Sequence, residues 1–305
     1  MQSPPDGFRS GTLRRLIVER SECALARGAL QPIATETHTV TEHSVPFQVR
    51  VVSSLARKHA HGEDRPAGSD PARRNPFLPY EPDLYVADVT PTHVCLLNKY
   101  NVIDHHLLVV TRAFERQERQ LTAADFAALW RCLLEFDSLG FYNSGPLAGA
   151  SQPHKHLQLV PLPLSADGRA LPMDALIDAT PRGPGPKQVP DLPFRHAFAW
   201  LDAPEAPGAA DRAHRCYREL LAAAGLDPRL PEPPPYNLLV TRRYMLLVPR
   251  TRDTYEGVSV NALGFAGSFF VRDRALLETI RNIGPMRVLR EVTPECAPGR
   301  QKPEL

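Results

Sequence analysis

Thirty-two of the 305 residues are proline, about twice the usual share, and a proline neither continues a helix nor sits within a central strand. Their clustering therefore sets where regular structure can run. "RKHAHGEDRPAGSDPARRNPFLP" (Arg57 to Pro79) is polar, basic and turn-rich, and reads as a long loop. "TPRGPGPKQVPDLP" (Thr180 to Pro193) sustains neither helix nor sheet, and "DPRLPEPPP" (Asp227 to Pro235) separates a helix from a strand. The expected organisation is a first domain over residues 1–180, a proline-rich linker at 181–193 and a smaller second domain over 194–305.

Between these marks the hydrophobic period alternates. Helical spacing predicts a helix over Gly11 to Leu30, ending near Gly28. Another is predicted over Thr122 to Gly140, with Thr122 and Asp125 placed to cap it and Gly140 to stop it. Strands are predicted over Phe47 to Leu55, His93 to Asn101 and His106 to Arg112, the last two forming a hairpin through "VIDH". "FYNSG" and "HKHLQLVPL" supply a strand, a loop and a strand. The second part repeats the theme, with a helix over Asp211 to Leu226, a hairpin over Tyr236 to Arg250 turning at Arg242 and Arg243, and a closing helix over Leu276 to Gly284. The class is α+β, an antiparallel sheet flanked by helices.

Thirty-six Lys and Arg against 34 Asp and Glu leave a net charge of +2, too little for a general nucleic-acid surface, although local clusters can still meet a small anion. The start lacks the apolar core of a secretion signal, and no stretch approaches the roughly 18 apolar residues of a membrane helix. The expectation is a cytoplasmic protein with no membrane or nucleic-acid partner. Cys23, Cys95, Cys132, Cys216 and Cys296 stand singly without a C-x-x-C pair, so neither a disulfide framework nor a thiolate zinc site is expected.

One stretch carries chemistry. In "GASQPHKHLQLVPLP" (Gly149 to Pro163) strand alternation places His154, His156 and Gln158 on one face and Lys155, Leu157 and Leu159 on the other. A lone H-x-H also suits a solvated strand face or histidines bonded to backbone. The preceding loop, "NSGPLAGASQP" (Asn143 to Pro153), is glycine-rich enough for backbone N–H groups to approach an anion, which points toward phosphate chemistry. A neutral imidazole attacks phosphorus when an acceptor holds its other nitrogen and fixes the tautomer. Metal ligation ranks behind this, because no cysteine or acid stands at ligand spacing.

"HKHLQLVPLP" resembles the histidine-triad signature in its H-x-H-x-Q form. "FYNSGPLAGASQPHKHLQ" is similar to the matching stretch of diadenosine tetraphosphate phosphorylases (ATP adenylyltransferases), relatives of the galactose-1-phosphate uridylyltransferases. "ARGALQPIATE" (Ala26 to Glu36), "NPFLPYEPDLYV" (Asn75 to Val86), "LLNKYNVIDHHLLVVTRAFERQ" (Leu96 to Gln117) and "NALGFAGSFFV" (Asn261 to Val271) resemble further segments of that family, in order. The resemblance implies a histidine-triad-like sheet carrying a two-step transfer. A histidine takes AMP from the dinucleotide and expels ATP, and inorganic phosphate then collects AMP as ADP.

By resemblance His156 is the nucleophile, His154 supports its orientation, and Gln158 replaces the third histidine of simpler triad hydrolases, bonding a phosphate oxygen without offering a proton. Asn98 matches the position that holds the ribose, and His106 lies near it. Asn143, Ser144 and Gly145 match the loop that lines the phosphates, completed by Ser151 and Gln152. Lys58, Lys99 and Lys155 are the candidate cations for the tetraphosphate, with Lys155 directed away from the histidine face by alternation. Mg²⁺ or another divalent ion would travel with the polyphosphate. The expected partners are diadenosine polyphosphates, ATP, ADP and phosphate, and the two-part layout is compatible with a monomer.

Several alternatives stand beside this reading. A uridylyltransferase would carry H-P-H where Lys155 stands, and a dinucleotide hydrolase would keep a third histidine where Gln158 stands. A non-catalytic nucleotide sensor would use the same pocket without turnover. An acceptor other than phosphate, such as sulfate, is not distinguished by these motifs.

Overall fold

The computed structural model describes residues 7–52 and 75–295. The first part runs α1 (Leu13–Ala26), β1 (Thr35–Glu42), β2 (Val45–Val52), β3 (Tyr85–Thr90), β4 (His93–Leu97), β5 (Leu107–Thr111), α2 (Ala123–Leu133), β6 (Ser138–Asn143), β7 (His156–Pro161) and α3 (Asp174–Ile177). The second runs β8 (Ala197–Trp200), α4 (Ala209–Ala223), β9 (Tyr236–Val240), β10 (Tyr244–Pro249), β11 (Thr254–Tyr255), β12 (Val258–Ser259), α5 (Ala262–Phe265), β13 (Ser268–Val271), α6 (Arg274–Ile283) and α7 (Pro285–Glu291).

Eight strands form one antiparallel sheet in the order β3-β4-β5-β7-β6-β9-β10-β8, and β1, β2 and β13 form a second sheet in which β13 runs parallel to β2. The proline-rich segment at 181–193 separates the two parts along the chain, yet β6 of the first pairs with β9 of the second, Phe141 opposite Leu239. One backbone ladder therefore crosses the boundary. Helices α1, α2 and α4 bury one face of the large sheet around Leu157, Leu159, Val109, Phe126 and Tyr217. The opposite face is shared. Its β6-β9-β10-β8 side packs on β2, β13 and the last helices through Phe47, Phe141, Phe198 and Phe269, while its β4-β5 side carries the small cluster of Phe77, Val94, Leu96, Leu108 and Val110.

The helix predicted over Thr122 to Gly140 is shorter than expected. Its start is as read: the Thr122 hydroxyl accepts from the Asp125 N–H, and the Asp125 carboxylate accepts from the Thr122 N–H at 2.7 Å. Its end falls at Leu133, and Gly140 lies within β6. There a Cβ would stand 2.8 Å from Leu129 Cδ1, so the glycine permits α2 to lie close on the strand rather than stopping the helix. Glu135, just past the helix, accepts from the N–H groups of Gly11 and Leu13 and so anchors the start of α1.

Behind β7 lies the feature that ties these pieces together. Lys155 has no exposed surface, and its ammonium donates to Asp125 at 2.6 Å, to Glu115 at 3.2 Å and to the Gln120 carbonyl at 3.2 Å. Lys155 therefore points into the helix-covered side, as alternation predicts, and is committed to carboxylates rather than available to a phosphate. Burial alone would push the Asp125 carboxyl up. Hydrogen bonds from His93 and Thr122 and the Lys155 charge outweigh it and hold the carboxyl at about 2. Since an open-chain Asp titrates near 3.8, this stabilisation is complete above about pH 4 and disappears as pH falls through 2.

Asp125→Ala leaves the Lys155 charge buried without its nearest partner. Its cost is expected at about 3–5 kcal/mol at neutral pH, read from urea unfolding; a cost under 1 kcal/mol would contradict this account.

Candidate active site

The register of β7 assembles the site. Val110 of β5 lies opposite His156, and Gln158 lies between Leu108 of β5 and Phe141 of β6. His154 precedes the strand and joins it through a bridge to Arg116. The Phe77 ring contacts both imidazoles, with centroids at 5.6 Å from His154 and 5.4 Å from His156, so the two histidines share the face that alternation assigned to them.

His156 is buried, and its Nδ1–H donates to the His154 carbonyl at 2.8 Å. That bond leaves Nε2 as the unprotonated nitrogen, and among the described residues Nε2 has no hydrogen-bond partner. Burial pushes the imidazole down to about 4, against the His154 carbonyl, which favours the charged ring. The ring is therefore neutral at pH 7, with a free lone pair on one nitrogen.

His154 orients this ring through its carbonyl, while its own imidazole is an anchor. Nε2–H donates to the Thr111 carbonyl at 2.9 Å, and Nδ1 accepts from Asn75 Nδ2 at 2.9 Å. Gln117 completes the clamp. Its Oε1 accepts from the His156 N–H at 2.9 Å, and its Nε2 donates to the Asn143 carbonyl at 2.8 Å and the His156 carbonyl at 3.2 Å. Periodicity gives no sign of Gln117 or Asn75, which lie in irregular segments. The only signal was that the similar stretches begin at Asn75 and end at Gln117.

A second chain of bonds holds Gln158. Asn98 Nδ2 donates to His106 Nδ1 at 3.1 Å, and His106 Nε2–H donates to Gln158 Oε1 at 2.9 Å. Burial pushes His106 down to about 4, so it stays neutral and can accept from Asn98. With its oxygen engaged, Gln158 keeps its NH₂ for another acceptor. Asn98, His106 and Gln158 thus form one connected row beside His156.

The loop after β6 differs from its expected form. The N–H groups of Gly145, Ala148, Gly149 and Ala150 bond carbonyls inside the loop, and that of Ser144 bonds the Tyr236 carbonyl, so these five donors are already committed. The Ser144 hydroxyl is buried without a partner among the described residues. Asn143 turns its side chain toward the second part of the chain, where its Oδ1 accepts from Asn237 Nδ2 at 2.8 Å and from the Ala262 N–H at 2.9 Å. Gly149 has φ +87°, and a Cβ there would stand 2.8 Å from Asn261, which fixes how closely the two parts meet. Ser151 is exposed and Gln152 half-buried, at the end of the loop leading into His154.

The two candidate cations among the described residues do not converge on the histidines. Lys99 pairs with Glu81 at 3.1 Å and lies over the Tyr100 ring, Lys155 points through the sheet, and Lys58 lies outside the described residues. Among the described residues no group of three or more His, Cys, Asp or Glu is arranged to hold a metal ion. Burial pushes the Cys95 thiol up to about 12 and raises Cys132 well above its ordinary value; Cys296 is outside the described residues. No helix among them is long and apolar enough to cross a membrane.

Comparison with known proteins gives this geometry a family. Residues 4–179 match the Ap4A phosphorylase N-terminal domain, and residues 190–295 match the ATP adenylyltransferase C-terminal domain. The chain is 27% identical over 290 residues to Protein APA1 of Saccharomyces cerevisiae, covering 87% of this chain and 88% of that protein. It is 28% identical over 278 residues to diadenosine 5',5'''-P1,P4-tetraphosphate phosphorylase 2 of the same yeast, covering 80% and 81%. The fold superposes on the crystal structure of yeast Ap4A phosphorylase Apa2 with a TM-score of 0.77, at 23% identity, covering 96% of this chain and 98% of that one. With more than half its length matched by the first of these domains and most of the remainder by the second, the chain belongs to the Ap4A phosphorylase and ATP adenylyltransferase family.

Proposed function

We propose that this protein cleaves diadenosine tetraphosphate by phosphorolysis, through an AMP-histidine intermediate on His156. The observation that carries the reading is the neutral, buried imidazole with Nδ1 tied to the His154 carbonyl and Nε2 free. A crystal structure of yeast Apa2 in complex with Ap4A, which superposes with a TM-score of 0.76, supports the choice of substrate. In the first step Nε2 attacks the phosphorus next to one adenosine, the N–P bond forms, and the P–O bond to the remaining chain breaks, releasing ATP. The imidazole becomes positive as that bond forms, and the His154 carbonyl accepting from Nδ1–H favours that charge. In the second step an oxygen of inorganic phosphate attacks the same phosphorus, the N–P bond breaks, and ADP leaves with His156 neutral again.

Gln158 offers its NH₂ to a non-bridging oxygen of the transferred phosphoryl group, held in that orientation by His106 and Asn98. A divalent ion such as Mg²⁺ would ride on oxygens of the polyphosphate, because no described cluster suits it. We assign the reaction to a cytoplasmic monomer, a reading supported by cysteines that stand singly in the sequence and by the large sheet that both parts of the chain build.

Chromatography of products from diadenosine tetraphosphate and Mg²⁺, with and without phosphate, tests the reaction. Equal ADP and ATP appearing only with phosphate is the expected result. AMP and ATP without phosphate would mean hydrolysis, no products would favour a nucleotide sensor, and turnover with sulfate alone would reassign the acceptor. His156→Ala is expected to fold and to lose turnover entirely, with His156→Gly partly rescued by imidazole; full turnover in the purified alanine variant would refute the role of His156.

The titration of the nucleophile gives a second check. A ring with folded pKa about 4 against 6.5 in an open chain keeps its lone pair down to pH 4. The acid limb of kcat/KM for the dinucleotide, which reports the first step, is expected near 4 rather than 6.5. Stability moves in the same direction, because unfolded His156 and His106 take up protons that the fold refuses. It is full above pH 6.5 and declines as pH falls toward 4. An acid limb at 6.5 in the folded enzyme would show that the ring is not held as described.

A further inference from the structure

Arg250 follows β10 in the second part of the chain and is buried. Its guanidinium makes five hydrogen bonds: Nε to the Val292 carbonyl at 3.3 Å, Nη1 to Asn237 Oδ1 and to the Ala148 carbonyl at 3.4 Å, and Nη2 to the Arg252 and Val260 carbonyls at 2.7 and 2.9 Å. Every one of these acceptors is neutral. A buried charge normally meets a countercharge, yet Arg250 forms no ion pair among the described residues, and the acid among them that acts on it is Asp253, which is exposed. Burial accordingly pushes the guanidinium down, to about 9, which still leaves it fully charged at neutral pH.

The position of this charge is informative. Ala148 belongs to the loop between β6 and β7, and Asn237, bonded to Arg250, donates to Asn143 Oδ1 and to the Ala148 carbonyl, both at 2.8 Å. The Asn143 carbonyl accepts from Gln117, and Gln117 accepts from the His156 N–H. A continuous buried chain therefore runs from Arg250 through Asn237, Asn143 and Gln117 to the backbone of His156. Five N–H groups of the loop are already committed, and among the described residues no lysine or arginine bonds His154, His156 or Gln158, so an uncompensated charge behind the loop adds favourable field to whatever cations meet a polyanion there.

We propose that Arg250 supplies this field: a positioning residue that never touches substrate, it stands behind the 144–150 loop with its charge uncompensated and favours polyphosphate binding at the histidine face. The inference rests on the reading of this face as the polyphosphate site. The absence of a carboxylate partner is what makes the charge useful, because a paired arginine would present little net field beyond its own cavity. It also gives the second part of the chain, which contributes no histidine to the site, a share in the chemistry.

Inorganic tripolyphosphate and adenosine serve as separate probes, measured by calorimetry at low ionic strength on the full-length wild type, Arg250→Lys and Arg250→Gln. Lysine keeps the charge and glutamine keeps part of the hydrogen bonding, so the pair separates field from scaffold. Arg250→Gln is expected to weaken tripolyphosphate about tenfold and Arg250→Lys about twofold, with adenosine affinity unchanged in both. Equal tripolyphosphate affinity in the two variants, whether near wild type or far below it, would overturn the proposal. Should Arg250→Gln not fold, Asp253→Asn decides, since removing an acid that opposes the field is expected to tighten tripolyphosphate about twofold; unchanged binding would count against the proposal. Wild-type cleavage of diadenosine tetraphosphate with no difference between the variants would remove only this inference. A charge-dependent loss of tripolyphosphate binding in a protein that does not cleave the dinucleotide would remove only the assigned reaction. A wild type that binds no tripolyphosphate would remove both.

Discussion

A single ammonium threaded between two histidines sets the constraints on this fold. Lys155 lies fully buried on the helix-covered side of the sheet, where an unpaired charge is very costly. Its partners therefore cannot be optional. Asp125 comes from the first turn of α2 and Glu115 from the segment after β5, so satisfying one side chain fixes both the helix and that segment against β7. The Lys155 N–H also donates to the Glu115 carbonyl at 2.8 Å. Two residues further along the segment stands Gln117, which grips the His156 backbone on both sides. The period-two geometry of one strand thus separates two jobs, with the odd-numbered residue locking the scaffold and its even-numbered neighbours presenting imidazoles to the other face.

That period explains what the sequence made legible. The H-x-H-x-Q alternation, the Thr122 and Asp125 cap and the two hairpins each depend on residues within a few positions of one another, and each stands in the structure as local rules predict. The extent of the sheet was less visible. A strand such as β8 is buried throughout, so it loses the alternation that marks a half-buried strand, and β3 pairs with β4 through register shifts that blur its pattern. Gly140 was misread for a related reason. A glycine that stops a helix and a glycine that lets a helix approach a strand look alike in sequence, and only the Leu129 side chain across the gap distinguishes them.

The site residues divide the same way. His154, His156 and Gln158 were legible because a strand displays them in register. Gln117, Asn75, Asn237 and Arg250 are single polar residues in loops or apolar strands, and each acquires meaning from a partner far away in sequence, 94 positions for Asn237 with Asn143. No local rule encodes such a partner. The same holds for the relation between the two parts of the chain. The proline-rich segment at 181–193 is easily seen, whereas the β6-β9 ladder and the Asn143-Asn237 bond that join across it are tertiary facts.

The protons of the site bear on the kind of reaction it suits. His156 commits its one N–H to the His154 carbonyl, His154 commits its own to Thr111, and His106 commits its own to Gln158. Burial holds both His156 and His106 near 4, so neither carries a second proton at neutral pH. Once His156 Nε2 is bonded to the phosphorus of AMP, no imidazole in the row is left to protonate a leaving oxygen or to deprotonate a water. In the proposed transfer neither service is needed: ATP departs from phosphorus as an anion that is stable without a proton, and inorganic phosphate arrives already ionised, with a nucleophilic oxygen. Water has the opposite requirement, since it attacks efficiently only when a base removes its proton. A face whose neutral imidazoles are all engaged once His156 carries AMP, with an amide beside them, therefore discriminates against water by withholding the base, and passes the adenylyl group between phosphate oxygens that bring their own charge.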